Sequence, residues 1–485
     1  MDNDVKNNNL EDFFSNGPFT SLKTIQDQHT IEKVSSTITQ NSSLNINKNV
    51  IDSINLSEIE ITEDYKKVID LINKDSNPVF ISGRAGTGKT TLIYYLMNTL
   101  KHKMMVVAPT GVAAINIGGS TIHKTFGLPP RLITKEDITG LSSVKNYLLR
   151  NLQILIIDEV SMVRADVLDG IDWSLQLNRG NKLPFGGVKV LMIGDLFQLP
   201  PVVNSKELDA FEQLGYEGQY FFNSFSLRNS KMDYIELQKV YRQKDDEFID
   251  LLSDVRLSKN IVQTIRKIND SCYDKEIENA VTNLTTTNAR AEEINNIELE
   301  NLEGVEKTYL GLIEGKFDAK EDRLPVPLML RLKIGAQVMF VKNDYYGRWV
   351  NGTIGFVTEM NDNYVMVRKA SDNNIYTVEF DKWQTYEYAF DAMQNKIIKQ
   401  VSGSYVQIPL IHAWAITIHK SQGKTIDAIN IDLGRGAFAP GQVYVALSRC
   451  RTLENISLSR KISVNDIMTN NKIRTFYKKI SEIGD

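Results

Sequence analysis

The segment Gly83-Arg-Ala-Gly-Thr-Gly88-Lys89-Thr90 has the composition of a phosphate cradle. Its glycines let successive backbone N–H groups turn inward around phosphate oxygens, and its lysine adds a point charge. The apolar run Pro78–Ser82 precedes it and a helical pattern begins at Lys89, so a helix N-terminus with partial positive charge faces the same spot. Gly83, Ala85, Gly86, Thr87, Gly88, Lys89, Thr90 and Thr91 are therefore assigned to a nucleotide. Lys89 should reach its β- and γ-phosphates and Thr90 should ligate Mg²⁺. A plain glycine turn before a helix does not need a lysine and a hydroxyl at this spacing.

A second constellation is Ile154-Leu-Ile-Ile-Asp158-Glu159, an apolar strand ending in two acids. Burying paired carboxylates is costly unless they do something. Asp158 is the expected Mg²⁺ ligand, and Glu159 the group that orients and deprotonates a water. A hydrolytic glutamate favours ATP hydrolysis over transfer of phosphate to another substrate. After the next strand, Gly194-Asp-Leu-Phe-Gln198-Leu-Pro-Pro201 places Gln198 where it could sense the γ-phosphate; a Gly/Pro strand-to-turn junction is the plainer reading.

The elements that must hold these groups are legible as short apolar strands alternating with helices. Pro78–Ser82, Met104–Ala108, Leu152–Ile157 and Val188–Ile193 form one set, and Val281–Thr285, Ala428–Leu433 and Asn455–Ser459 a second. Such alternation implies parallel sheets covered on both faces. The expected fold is α/β, with two P-loop lobes of this kind. The first covers 61–240 with a small insertion at about 127–150. The second covers 241–485 with a β-rich insertion at about 335–405, where strand-like alternation is broken by Asn/Asp/Gly turns. Residues 1–60, rich in Asn, Ser, Thr and Asp, read as a disordered tail in which Phe13 and Phe14 offer either a docking peptide or two stray aromatics.

Bulk properties exclude several classes. No apolar run approaches the roughly 20 residues that span a bilayer. The N-terminus has no apolar signal core and no arginine before Arg84, so a cytoplasmic location is expected. Two cysteines, Cys272 and Cys450, cannot build a disulfide framework, and five histidines give no metal cluster. The net charge of −4 does not advertise nucleic-acid binding, but the first 60 residues carry −5 of it, leaving +1 for the rest. Cations lining a groove suffice to hold a phosphate backbone, so whole-chain charge does not decide the matter.

Beyond the P-loop, further segments occur in a specific order: Ala108-Pro-Thr-Gly-Val-Ala-Ala, Thr121-Ile-His-Lys-Thr-Phe126, Asp158-Glu-Val-Ser-Met162, Gly194–Pro201, Val240-Tyr-Arg-Gln243, Gly335-Ala-Gln-Val-Met-Phe340, Asn351-Gly-Thr-Ile-Gly355, Ala415-Ile-Thr-Ile-His-Lys-Ser-Gln-Gly423 and Tyr444-Val-Ala-Leu-Ser-Arg449. This set, covering about 61–459, resembles the superfamily 1B DNA helicases of the petite-integration-frequency, RecD and Dda type. The resemblance implies two RecA-like lobes with ATP between them and 5′-to-3′ movement on single-stranded DNA. Arg242 and Arg449 become arginine fingers, while Gln422 and Gly423 sit near the nucleotide, with Tyr241 stacking on its base. It places DNA at Pro109, Thr110, Gly111, His123, Phe126, Thr286, Asn288, His419, Lys420 and Ser421. Small polar groups and backbone N–H suit phosphate contact without base readout. Phe126 either stacks on a base or packs in the core, and His123 and His419 read equally as structural histidines. The insertion at 127–150 would carry a strand-separating wedge, and the one at 335–405 would be SH3-like and close over the DNA. Three positions depart from the family. Tyr65 stands where a glutamine reads adenine, which puts adenine selectivity in question; Lys424 replaces an apolar residue; and Trp414 replaces a tyrosine.

The expected function is thus an ATP- and Mg²⁺-dependent helicase, a monomeric motor acting on single-stranded and on forked or tailed duplex DNA. A protein partner through the tail is allowed and no membrane is involved. A translocase subunit without autonomous unwinding, and a P-loop switch acting on a protein, are the alternatives. RNA as track also fits backbone-led contacts. Replication, repair, recombination and phage or plasmid propagation all accommodate such a motor.

Overall fold

The computed structural model describes residues 59–484, apart from 204, 229, 278–280, 319–323 and 392. The tail expected at 1–60, with Phe13 and Phe14, lies almost wholly outside the described residues. Among those described, no helix is long and apolar enough to cross a membrane.

The first lobe opens on a helix, Glu63–Lys74, capped by Thr62, whose side chain accepts from the Tyr65 N–H at 3.3 Å. Six strands follow: β1 (Val79–Gly83), β2 (Met104–Ala108), β3 (Ser120–Thr121), β4 (Ile154–Ile157), β5 (Lys189–Gly194) and β6 (Asp233–Leu237). They form one sheet in the order β3-β2-β4-β5-β1-β6. All pairs are parallel. Every residue of β1, β2, β4 and β5 is buried, as a sheet covered on both faces requires. The edge strand β6 and the two-residue β3 carry weaker patterns and were not anticipated.

The second lobe holds a four-stranded parallel sheet in the order Ala415–Thr417, Thr282–Thr285, Ile429–Asp432, Ile456–Leu458. Between its first two strands in sequence lies the insertion, wider than the expected 335–405. Its strands begin at Lys307 and end at Leu410–His412. Five of them form an antiparallel sheet, and the long hairpin Asp381–Asp391/Lys396–Gln407 pairs with Leu312–Gly315 in another. Trp349, Trp383, Tyr309 and Tyr405 fill the core they share.

Two segments depart from the anticipated boundaries. The helix Asn471–Gly484, expected in the second lobe, returns to the first: Ile473 and Ile480 are buried in that lobe's core, and Phe476 stacks on Phe222 at 4.2 Å. The segment 127–150 is not a separate module either. It contains a 3₁₀ turn, Lys135–Asp137, and a helix, Ser143–Asn151, while Leu128, Ile133, Leu148 and Leu149 are buried in the same core.

The long hairpin reaches the first lobe as an arm. Tyr147 meets Phe390 edge-on at 5.0 Å, Lys124 donates to Ser402 Oγ at 2.7 Å, and Lys399 donates to the Gly118 carbonyl. The Tyr388 hydroxyl donates to the Val106 carbonyl at 3.0 Å and accepts from its N–H at 3.1 Å. These two groups face the side of β2 that the two-residue β3 is too short to cover, so one side chain replaces a missing strand neighbour. Tyr388→Phe is expected to destabilise the protein by about 1–3 kcal/mol, the cost of an unpaired buried backbone group. Thermal denaturation reads this, and an unchanged midpoint would mean the hydroxyl is dispensable.

Candidate active site and strand track

The P-loop leaves β1 at Gly83 and enters the helix Lys89–Thr99 with Gly88 as its N-cap. That cap makes no side-chain hydrogen bond, which leaves the first N–H groups free for an anion. Gly86 and Gly88 have φ of +82° and +79°. A Cβ at Gly86 would lie 2.5 Å from Arg242 Cβ, so glycine is required both by the turn and by the approach of the arginine. Lys89 Nζ donates to the carbonyls of Gly83 at 2.7 Å and Arg84 at 2.9 Å, and burial lowers its pKa. Thr90 is exposed at the helix start.

Tyr65, in place of the family's glutamine, is 3% exposed, and its hydroxyl donates to the Gly88 carbonyl at 3.0 Å. It braces the P-loop from behind. Tyr241 is 42% exposed, its N–H donates to the Gly86 carbonyl at 2.8 Å, and its ring lies 3.5 Å from where a Gly88 Cβ would be.

Asp158 follows β4 and is buried; its carboxylate accepts from the Glu159 N–H at 2.9 Å. Burial, and then the charge of Glu159, raise its pKa. Glu159 is held at φ +49°, a conformation that costs a non-glycine residue of order 1–3 kcal/mol and persists only where surroundings enforce it. Burial raises its pKa as well, against the pull of Lys89 and Arg449.

The second lobe closes on these acids. Gln422 Nε2 donates to Glu159 Oε2 and to Gln198 Oε1, both at 3.1 Å. Arg449 is 1% exposed. Its guanidinium donates to the carbonyls of Val445 (2.7 Å), Ser421 (3.1 Å) and Lys424 (3.3 Å) and to Ser448 Oγ (2.7 Å). Burial, and then the neighbouring Arg242 charge, push it down to about 9. Arg242 Nη1 donates to the Ser448 carbonyl at 3.2 Å, and burial lowers its pKa too. Among the described residues neither guanidinium has a carboxylate partner.

Several residues of the cleft escaped sequence reading. Tyr444 accepts from the P-loop Ala85 N–H at 3.0 Å and donates to Asp195 at 3.2 Å. Asp195 is fully buried and pairs with Arg256 at 3.1 Å, which also reaches Glu236 at 3.1 Å. Gln243 donates to the carbonyls of Ser448 and Cys450. Tyr444 and Asp195 stood inside quoted motifs, where only their chemistry could have marked them. Arg256 lies in an ordinary amphipathic helix, and nothing in its neighbourhood signals an interlobe ion pair.

The residues expected on DNA fall at the carboxyl ends of parallel strands, where ligands of open α/β sheets bind. Pro109, Thr110 and Gly111 follow β2; Thr286 and Asn288 follow Thr282–Thr285; His419 and Lys420 follow Ala415–Thr417. Thr110, Asn288 and Lys420 are exposed, and a Cβ on Gly111 would meet open space. His123 is half-buried. Two of the set turn inward. Phe126 is 2% exposed among Leu128, Leu148 and Ile122, so its ring packs the core and offers no face to a base. Ser421 is fully buried, and its hydroxyl donates to the Ile418 carbonyl at 2.8 Å. Cys272 and Cys450 are buried free thiols in the second lobe.

The PIF1-like helicase family matches residues 60–272. The ATP-dependent DNA helicase Pif1 of Bdellovibrio bacteriovorus is 33% identical, over 87% of this chain and 92% of its own length. The chain belongs to the PIF1-like helicases. Two solved structures of the family extend the likeness to the fold. Bacteroides Pif1 in complex with ADP-AlF4 is 38% identical with a TM-score of 0.81, covering 88% of this chain and 98% of that one. Bacteroides Pif1 bound to ssDNA has the same identity and coverage with a TM-score of 0.65. The resemblance read in the sequence is therefore to the family the chain belongs to, and the parallel lobes are RecA-like.

Gln422 is the only described side chain that hydrogen-bonds Glu159 and Gln198 together. Gln422→Ala should lower kcat for ATP hydrolysis by about 10²-fold, as expected when a group that holds the reacting constellation is removed. KM for ATP should change little, and steady-state kinetics separates the two. A change in KM alone would place Gln422 in nucleotide binding instead.

Proposed function

We propose that the chain, an ATP-dependent DNA helicase by family, moves 5′ to 3′ along single-stranded DNA as a monomer and opens tailed or forked duplexes. Its substrate would lie across the strand ends named above. The observation that carries the reading is the pair of neighbouring arginines, Arg449 buried and Arg242 half-buried. Among the described residues it has no carboxylate partner, and it stands in the cleft that Gln422 bridges to Glu159. Two adjacent guanidiniums out of water are unfavourable until an anion joins them, and a γ-phosphate is such an anion.

In this reading Lys89 exchanges the carbonyls of Gly83 and Arg84 for β- and γ-phosphate oxygens. Tyr241 offers its open ring face to the base. Tyr65, its hydroxyl committed to Gly88, takes no part in adenine selection, so other nucleoside triphosphates should also be hydrolysed. Asp158 and the Thr90 hydroxyl are oxygen donors, one of them a buried carboxylate whose pKa is raised, and this set fits a Mg²⁺ ion. Bound there, the ion would draw charge from the phosphate oxygens. Glu159, positioned by Gln422, orients the attacking water and takes its proton. Arg242 and Arg449 stabilise the charge that spreads over the transferred phosphoryl group.

Movement follows from what Arg449 gives up. Its Nη1 holds the carbonyls of Ser421 and Lys424, in the loop that carries His419 and Lys420 toward the track. A guanidinium drawn to phosphate releases that loop, and product release restores it. Thr110, Gly111, His123, Thr286, Asn288, His419 and Lys420 would grip the backbone. Tyr147, 48% exposed on the helix Ser143–Asn151, is the most prominent ring on the segment read as the wedge.

Steady-state ATPase without nucleic acid, and with single-stranded DNA, duplex or RNA, tests the assignment beside unwinding of 5′-tailed and 3′-tailed duplexes. Strong stimulation by single strands with opening of only the 5′-tailed substrate is expected. Stimulation without unwinding would point to a translocase, and no stimulation would remove the DNA motor. Lys89→Ala should abolish hydrolysis while DNA binding, followed by fluorescence anisotropy, persists. Loss of binding would mean the two sites are not separate. Glu159→Gln should retain ATP with little turnover; near-normal turnover would eliminate Glu159 as the base.

A further inference from the structure

The turn between the insertion strands Gln337–Phe340 and Ile354–Met360 takes no part in the nucleotide cleft, yet it is built to present aromatic surface. Tyr345 and Tyr346 are 59% and 79% exposed and meet edge to face at 5.2 Å. Their base is tied down. The Asp344 carboxylate accepts from the N–H groups of Tyr346 (2.9 Å) and Arg348 (3.1 Å) and pairs with the Arg348 guanidinium at 2.6 Å. Asn343 Oδ1 accepts from the Asn351 N–H at 2.8 Å, closing the turn. Arg348 lies over the rings of Trp349 (4.5 Å) and Tyr346 (5.4 Å), and Trp349 stacks on Phe340 at 4.6 Å within the insertion core. Rings held in place by such contacts lose little further freedom on binding.

The same turn abuts the loop that carries His419 and Lys420. Lys424 Nζ donates to Asn351 Oδ1 at 2.8 Å, and a Cβ on Gly352 would lie 2.2 Å from the Thr425 carbonyl, so only glycine lets the two backbones touch. Among the described residues Lys424 has no carboxylate partner, and burial pushes its ammonium down to about 8. An ammonium has three donors, and a single amide oxygen leaves two for an anion. Exposed rings on a turn whose Asn351 holds an ammonium without a carboxylate partner, against the loop of the proposed track, match the alternating chemistry of a single strand.

We propose that Tyr345 and Tyr346 form a stacking shelf for bases of single-stranded DNA leaving the track at the strand ends of the two lobes, with Lys424 holding a phosphate at the entrance to the shelf. The shelf rests on the proposed track and extends it onto the insertion. Stacking contributes about 1–3 kcal/mol per base, an affinity factor of roughly 5 to 150, and tolerates any sequence.

Fluorescence anisotropy of the full chain with labelled oligothymidylates of about 4 and about 16 nucleotides tests it, since single-strand sites span about that range. Tyr345→Ala/Tyr346→Ala should weaken binding of the long strand by roughly 5-fold or more and leave the short one unchanged. With a long strand made wholly of abasic sites, the variant and the unaltered protein should bind alike. Lys424→Met should weaken the long strand, with or without bases. Equal loss at both lengths, no loss at either, or a loss that persists on the abasic strand in the tyrosine variant would each overturn the shelf. Full DNA affinity in that variant would leave a protein-docking face instead. Lys420→Ala should weaken both lengths. If it weakened neither, the track would be wrong, while a loss confined to the long strand in the tyrosine variant would still support stacking on the insertion.

Discussion

The cleft between the lobes holds Lys89, Arg242 and Arg449 beside Asp158 and Glu159, all buried or half-buried, and among the described residues none is in a direct ion pair. Burial drives every one of these groups toward its neutral form. Such a set is tolerable only if the fold enforces it, and the enforcement is visible. Backbone carbonyls hold the lysine and both arginines, an N–H group holds Asp158, and Gln422, which also donates to Gln198, holds Glu159. These are neutral partners that a triphosphate and a divalent ion can displace without leaving a charge stranded. Direct Lys–Asp or Arg–Glu bridges would be stronger competitors, and among the described residues the cleft contains none across its reactive centre.

The rest of the architecture keeps that arrangement in register. Tyr444 ties the second lobe to the P-loop through a neutral hydroxyl, and Asp195–Arg256–Glu236 provides a fully formed ion-pair relay just behind it. Charge is thus satisfied where the lobes must stay together and left unsatisfied where they must respond to ligand. The arm adds a third link on the far side of β2, through Tyr388 and Lys399.

Much of this was legible in the residues. The P-loop, the acid pair and the core strands of the first lobe announce themselves through continuous apolar runs, because a parallel strand is buried on both faces. Phe126 shows the limit. A motif places it beside polar positions, and only packing against Leu148 and Ile122 decides that it points inward. Ser421 fails for the same reason, since it directly follows the exposed Lys420 and yet faces the core. The strands β3 and β6 were missed because edge strands need no unbroken apolar pattern. The arm's reach to Val106, and the pairing of Arg256 with Asp195 across 61 residues, are long-range facts with no local signature.

The return of Asn471–Gly484 to the first lobe has a bearing on how the chain is made. Its side chains complete a core begun some 400 positions earlier: Tyr477 meets Ser82 of β1 at 2.7 Å and stacks on Phe197 at 5.1 Å. Domains fold as units, and during synthesis the earlier ones fold first. Here the earlier unit lacks part of its interior until nearly all of the later one has left the ribosome. A nascent chain stalled anywhere before the returning helix therefore exposes the Phe80, Phe221 and Phe222 surface to which that helix binds.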